Sequence, residues 1–128
     1  MSNRTNFYIN GEWVEPVTPK TLEVLDPSTE EPCAMISLGT EADVDRAVAA
    51  AKAAFETFSQ TSVEARVGML ERMAEIFQRR IGEIAEAIRL EMGAPIKLAS
   101  TAQAYAGLGH ITEAAKILKS YAFTEDLG

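Results

Sequence analysis

Apolar and polar residues are distributed along this 128-residue chain in two different ways, and the change falls near residue 40. Before it, short apolar runs are separated by turn residues, as in strands; after it, apolar positions recur every three or four residues, as in helices. The stretch FYINGEWVEP, Phe7 to Pro16, carries the strongest local signal. Asn10-Gly11 suits a two-residue turn that needs positive φ at both central positions, which predicts a hairpin over about residues 6–15. In that register Tyr8 faces Trp13 on one side, while Phe7, Ile9 and Val14 fall on the other. Both faces are then apolar, which argues against an aromatic ligand platform with one wet side. A lone hairpin of this kind is marginal and wants cover. TLEVLDP predicts a second extended segment, ended where Pro27 biases Asp26 away from helix. PSTEEP supplies a turn, and CAMISLG reads as a third short strand stopped by Gly39.

The helical part opens at Thr40, a candidate cap with Asp43 at the reciprocal capping-box position. Val44, Val48, Ala51, Phe55 and Phe58 then share one face of a helix over about 41–57. Thr61 and Glu64 repeat the box in TSVE. After it Val67, Leu70, Ala74, Phe77, Ile81, Ile84 and Ile88 step by three and four, predicting one long helix over 62–92, on the order of 45 Å at ~1.5 Å per residue. Gly93 and Pro95 end it in the expected order. The strict heptad is compatible with a coiled-coil seam, but Met69, Met73 and Ile76 widen the stripe and favour packing inside a helical layer. A third helix is expected over 95–122. Gly107 and Gly109 weaken it by about 1 kcal/mol each relative to alanine and mark a close helix crossing or a kink, the crossing being preferred.

Composition narrows the function more than it defines it. Apolar residues make up 47% of the chain, enough for a globular core. Nineteen acidic residues against twelve basic ones give a formal charge of -7, which disfavours nucleic acid and anionic membrane as partners. No segment approaches the roughly 18 apolar residues of a membrane span, so a soluble chain is expected. A single cysteine, Cys33, rules out an internal disulfide and fits a reducing cytoplasm.

The candidate chemistry is sparse. Cys33 lies in an apolar strand-like run without a neighbouring histidine or basic residue, so a buried structural thiol is preferred to a nucleophile. His110 is the only histidine, and HITEA lacks the second histidine of the zinc-protease motif. Gly107 and Gly109 form a lone G-x-G within a helical pattern, without the strand before it or the third glycine that a dinucleotide loop requires. Glu71, Glu75, Glu83, Glu86 and Glu91 interleave with Arg72, Arg79, Arg80 and Arg89, the pattern of a solvated helix face rather than paired catalytic acids. The residues alone therefore identify no catalytic, cofactor-binding or metal site.

Taken in order, FYINGEWV, DPST, GTEADVDRAVAAAKAAF, EARVGMLERMAEIFQRR and EMGAP, leading to KSYA, resemble the amino-terminal portion of the aldehyde dehydrogenase superfamily. Many members have Asn where Asp26 stands and Lys where Ala94 stands. The resemblance implies an α+β fragment: strands over about 6–39, then three helices over about 41–57, 62–92 and 95–122. These would be part of an α/β dinucleotide-binding domain. It also implies a parent enzyme, a cytoplasmic homo-oligomer, that oxidises an aldehyde to a carboxylic acid with NAD or NADP. There a cysteine thiolate attacks the carbonyl, a hydride leaves to the nicotinamide, and water releases the thioester with help from a glutamate base. None of those groups maps onto this sequence, and Cys33 does not take the nucleophile's place. The chain alone is expected to bind no cofactor and to be inactive. Members often hold a monovalent cation partly through backbone carbonyls that here correspond to Val24 and Leu25. The competing expectation is a non-catalytic helical interaction or oligomerisation module, motivated by the wide apolar stripes on the helices.

Overall fold

The computed structural model describes residues 2–127. The chain divides into two compact units. One contains the strands and the first helix, through Gln60, together with Leu90–Gly93; the other contains Thr61–Arg89 and the chain from Ala94 onward.

In the first unit the hairpin forms as expected, β2 (Phe7–Ile9) pairing antiparallel with β3 (Glu12–Val14). Its register sets Tyr8 opposite Trp13 and Phe7 opposite Val14. Asn10 at φ 56 and Gly11 at φ 82 supply the two left-handed positions of the turn. A separate three-stranded sheet has the order β1 (Ser2–Arg4), β5 (Glu31–Ser37), β4 (Thr21–Asp26). β4 and β5 are antiparallel, whereas β1 runs parallel to β5. β1 was not expected, because Ser-Asn-Arg has none of the alternation that marks a strand. Its place is secured just beyond its end, where the Ser37 hydroxyl donates to the Thr5 carbonyl at 2.7 Å.

β5 begins two residues before the expected CAMISLG run, and so includes Pro32. Proline cannot donate to a ladder, and it is tolerated here beside a shift of register between Val24 and Leu25. The turn before it is built by Asp26: its carbonyl accepts from the Glu30 amide at 2.8 Å, and its carboxylate from the Ser28 amide at 2.8 Å. Glu30 takes φ 59 to complete the reversal. α1 (Glu41–Phe58) follows, with Thr40 and Asp43 at its start as expected.

Neither of the other two expected helices is uniform. The expected 62–92 helix is two, α2 (Val63–Arg79) and α3 (Ile81–Met92). Arg80, at φ -103 and ψ 13, leaves the helical region for one residue. Its amide still reaches the Ile76 and Phe77 carbonyls, and its own carbonyl accepts from the Glu83 and Ile84 amides, so it closes one helix and opens the next. The apolar stripe passes through this joint in phase, which is why periodicity alone reads a single helix. The cap of α2 is Ser62, whose hydroxyl accepts from the Ala65 amide at 3.1 Å, one residue past the expected Thr61. Thr61 instead accepts from the Arg66 guanidinium at 2.9 Å. Gly93, at φ 65, ends α3 as expected.

The expected 95–122 helix consists of a short turn α4 (Ile96–Leu98), a π-helical segment Ala99–Gln103, and α5 (Ala104–Leu118). Within that widened turn the Thr101 hydroxyl bonds back to the Lys97 carbonyl at 2.6 Å, a pattern that competes with regular helix. The helix stops at Leu118, short of Ala122. α5 packs on α2 at the expected close crossing: a Cβ on Gly107 would lie 2.8 Å from Phe77 Cζ, whereas one on Gly109 would meet nothing. The core of this unit is Ala85, Ala94, Ala99 and Ala104, with Ile81, Ile84 and Ile88 packed against it.

Candidate functional site

Each residue singled out for chemistry has an ordinary structural setting. Cys33 is half-buried on β5, and its thiol donates to the Val24 carbonyl at 3.3 Å. That bond ties two strands together and supplies no base to form a thiolate. His110 is exposed on α5, in the other unit. Gly107 and Gly109 lie inside α5, so no glycine loop opens a helix there, and the residues present do not fit a dinucleotide phosphate site.

Three of the acidic residues singled out on the helices are paired at three-residue spacing on exposed faces, and Glu71 instead meets Lys119 at 2.7 Å. Arg80 meets Glu83 at 2.7 Å, Arg89 meets Glu86 at 2.6 Å, and Arg72 meets Glu75 at 3.1 Å. Hydrogen bonding to Arg80 and to Arg89 holds the Glu83 and Glu86 carboxyls below the usual glutamate range. These are anchored carboxylates, not proton donors near neutral pH. Among the described residues no three or more His, Cys, Asp or Glu side chains are grouped to hold a metal ion. At the cation position implied for Val24 and Leu25, the register shift interrupts the ladder between the two residues, and the Val24 carbonyl already accepts the Cys33 thiol. Two carbonyls do not enclose a cation without ligands from elsewhere.

The most organised polar group was foreseen only as a helix cap. Asp43 is 4% exposed. One carboxylate oxygen, Oδ1, accepts from the Val17 amide at 2.9 Å; the other, Oδ2, accepts from the Thr40 amide and the Thr40 hydroxyl, both at 2.8 Å. The amide bond to Thr40, then those to Val17 and the Thr40 hydroxyl, hold its pKa below the ordinary aspartate value. The capping-box pattern gave the Thr40 half of this arrangement; the Val17 half spans 26 residues and leaves no local signature.

Beside the hairpin run two open troughs of about 420 and 340 Å³. The first is lined by Phe7, Tyr8, Ile9, Val44 and Ala47, the second by Ile9, Asn10, Ala50, Ala51 and Ala54. Asp43 also reaches the first trough, but its oxygens are already engaged. These surfaces offer apolar contact and no chemistry. The Tyr8 and Trp13 rings meet with centroids 5.1 Å apart and planes tilted by 56°, and are 62% and 67% exposed. No helix among the described residues is long and apolar enough to cross a membrane.

Comparison with known proteins supplies what the geometry lacks. Residues 13–125 match the model of the aldehyde dehydrogenase family. A 3-succinoylsemialdehyde-pyridine dehydrogenase from a Pseudomonas species is 48% identical over the whole chain, which covers 27% of that relative. The crystal structure of an aldehyde dehydrogenase from Bartonella henselae superposes with a TM-score of 0.96 at 48% identity, covering all of this chain and 27% of that one. A mutant of Pseudomonas syringae aldehyde dehydrogenase C, solved with NAD+ and octanal, gives 0.93 at 43% identity over 97% of this chain and 26% of its own. The chain thus spans about a quarter of the length of the relatives it matches.

Proposed function

This chain belongs to the aldehyde dehydrogenase family, and on that premise we propose that it is the amino-terminal portion of an NAD(P)-dependent enzyme that oxidises an aldehyde to a carboxylic acid through a cysteine thioester. In this reading the 128 residues are an incomplete cofactor-binding domain of a cytoplasmic, homo-oligomeric enzyme. The nucleophile, the base and the dinucleotide site lie outside them. The observation that carries the proposal is the match over residues 13–125, together with the quarter-length coverage of the relatives. The setting of Cys33 supports the catalytic silence of this portion, since its thiol is engaged by a carbonyl with no base at hand.

The experiment is aldehyde-dependent reduction of NAD or NADP by the purified chain, read at the absorbance of the reduced nicotinamide. No turnover above background is expected, and turnover would overturn the assignment of the catalytic groups to other residues. Binding of either dinucleotide by the chain alone, measured by calorimetry, would overturn the placement of the cofactor site.

One observation favours a second reading, a non-catalytic interaction or oligomerisation module. Among the described residues the buried apolar ones are five alanines and Val67, while Val44, Val48, Phe55, Phe58, Met69 and Met73 remain exposed. Apolar stripes of that extent are usually covered by something. Light scattering separates the readings: a defined oligomer stable on dilution supports the module, and a monodisperse monomer counts against it.

A further inference from the structure

The β2–β3 hairpin has no ladder to the three-stranded sheet. It is suspended between two polar anchors. At its entry the Thr5 carbonyl accepts the Ser37 hydroxyl, and at its exit the Val17 amide donates to Asp43 on α1. Between Val14 and β4 runs a strap, residues 15–20, in which Pro16 and Pro19 each fix φ and remove a donor. Val17, Thr18, Pro19 and Lys20 are all exposed, Val17 by 56%, so apolar burial does not hold them down. The far end of the strap is fixed independently, the Leu38 amide donating to the Lys20 carbonyl at 2.7 Å. The hairpin's own hold on α1 is modest. The Phe7 ring lies against Gly39, and Phe7, Ile9 and Val14 are only half-buried, while Tyr8 and Trp13 are exposed.

We propose that Asp43 is the latch of this strap: its bond to the Val17 amide holds the hairpin on α1, and releasing it lets the hairpin lift as a unit while the three-stranded sheet and α1 stay folded. A carboxylate that accepts from two chain segments is well suited to this, because one side chain fixes both the start of the helix and the strap. Losing a hydrogen bond to a charged acceptor is felt more than losing a neutral one. The lifted hairpin would open the trough now lined by Phe7, Tyr8, Val44 and Ala47.

The test is amide exchange by NMR on the labelled chain, together with the fluorescence anisotropy of Trp13, the only tryptophan. Asp43→Ala, which leaves no acceptor oxygen where Asn would keep one, should accelerate exchange at Val17 by about tenfold, the scale of one lost hydrogen bond to a charged group, with Leu38 unchanged. Trp13 anisotropy should fall. Thr40→Ala removes the hydroxyl donor but spares the Val17 bond, and should leave Val17 exchange and Trp13 anisotropy as they are. Unchanged exchange and anisotropy in D43A would overturn the latch. An equal effect in T40A would also overturn it, because loss of helix capping would then explain both. Should D43A lose its cooperative melt, Val17→Pro, which deletes the donor and spares the carboxylate, decides the matter. Lower Trp13 anisotropy with intact helical circular dichroism supports the latch, and unchanged anisotropy overturns it.

Discussion

Gly107 on α5 sits directly against the Phe77 ring of α2, so close that a methyl group at position 107 would come 2.8 Å from Cζ. The two helices cross at this point because the residue has no side chain. Gly107→Ala sets about 1 kcal/mol of improved helix propensity against about 1–3 kcal/mol of overpacking, and a net loss of stability is expected. Gly109→Ala, in open space, should be neutral or stabilising by up to about 1 kcal/mol. Chemical denaturation of the two variants checks the contrast; equal effects would mean that the crossing is looser than the contact implies.

Gly93 and Glu30 both hold positive φ, at 65° and 59°. At Gly93 a Cβ would also lie 2.9 Å from Pro27 Cγ. Gly93→Ala is therefore expected to cost more than the about 1–2 kcal/mol of left-handed strain alone. Glu30→Gly should relieve the same strain with no new contact, offset in part by added freedom in the unfolded chain. Thermal melts should move in opposite directions, and a destabilised E30G would show that its side chain contributes something beyond the turn.

The tilted Tyr8 and Trp13 rings are the cross-strand pair of a two-stranded ribbon, and such a pair adds about 0.5–1.5 kcal/mol beyond its area. Tyr8→Ala should loosen the hairpin by that amount without disturbing α2 or α5. Because Trp13 is 67% exposed, its emission should be strongly quenched by acrylamide. A blue shift and loss of quenching on adding a longer family member would report that this face has been covered.

Asp43 should contribute to the acid sensitivity of the fold. Its folded-state pKa is lowered, so the carboxylate contributes its stability in full above the ordinary aspartate value of about 3.9, and the contribution is lost as pH falls through the lower folded value. Asp43→Asn should therefore flatten the acid limb of a stability profile below about pH 4 and lower the plateau above it. Glu83 and Glu86 have lowered values too, but their partners are exposed and screened, so molar salt should change the melt little.

Local chemistry made much of the fold legible. Asn10-Gly11 fixed the hairpin and its register, Thr40 and Asp43 marked the start of α1, and Gly93 marked the end of α3. What escaped depends on partners distant in sequence or on geometry without a residue code. β1 is a strand because β5 lies beside it, Pro32 enters β5 because the ladder shifts register next to it, and Val17 is held by a carboxylate 26 positions away. The π-helical turn at Ala99–Gln103 contains no proline or glycine to announce it. Function was legible only through resemblance, since Cys33, Asp43, Glu83 and Glu86, the groups nearest to chemistry, are engaged in structural hydrogen bonds.

The single-residue joint at Arg80 also constrains how this sequence can change in length. One residue added there would rotate α3 by about 100° relative to α2 and carry Ile81, Ile84 and Ile88 away from Ala99 and Ala104. Natural variation in length should therefore avoid this joint, which should keep its residue count even where its residue identities drift.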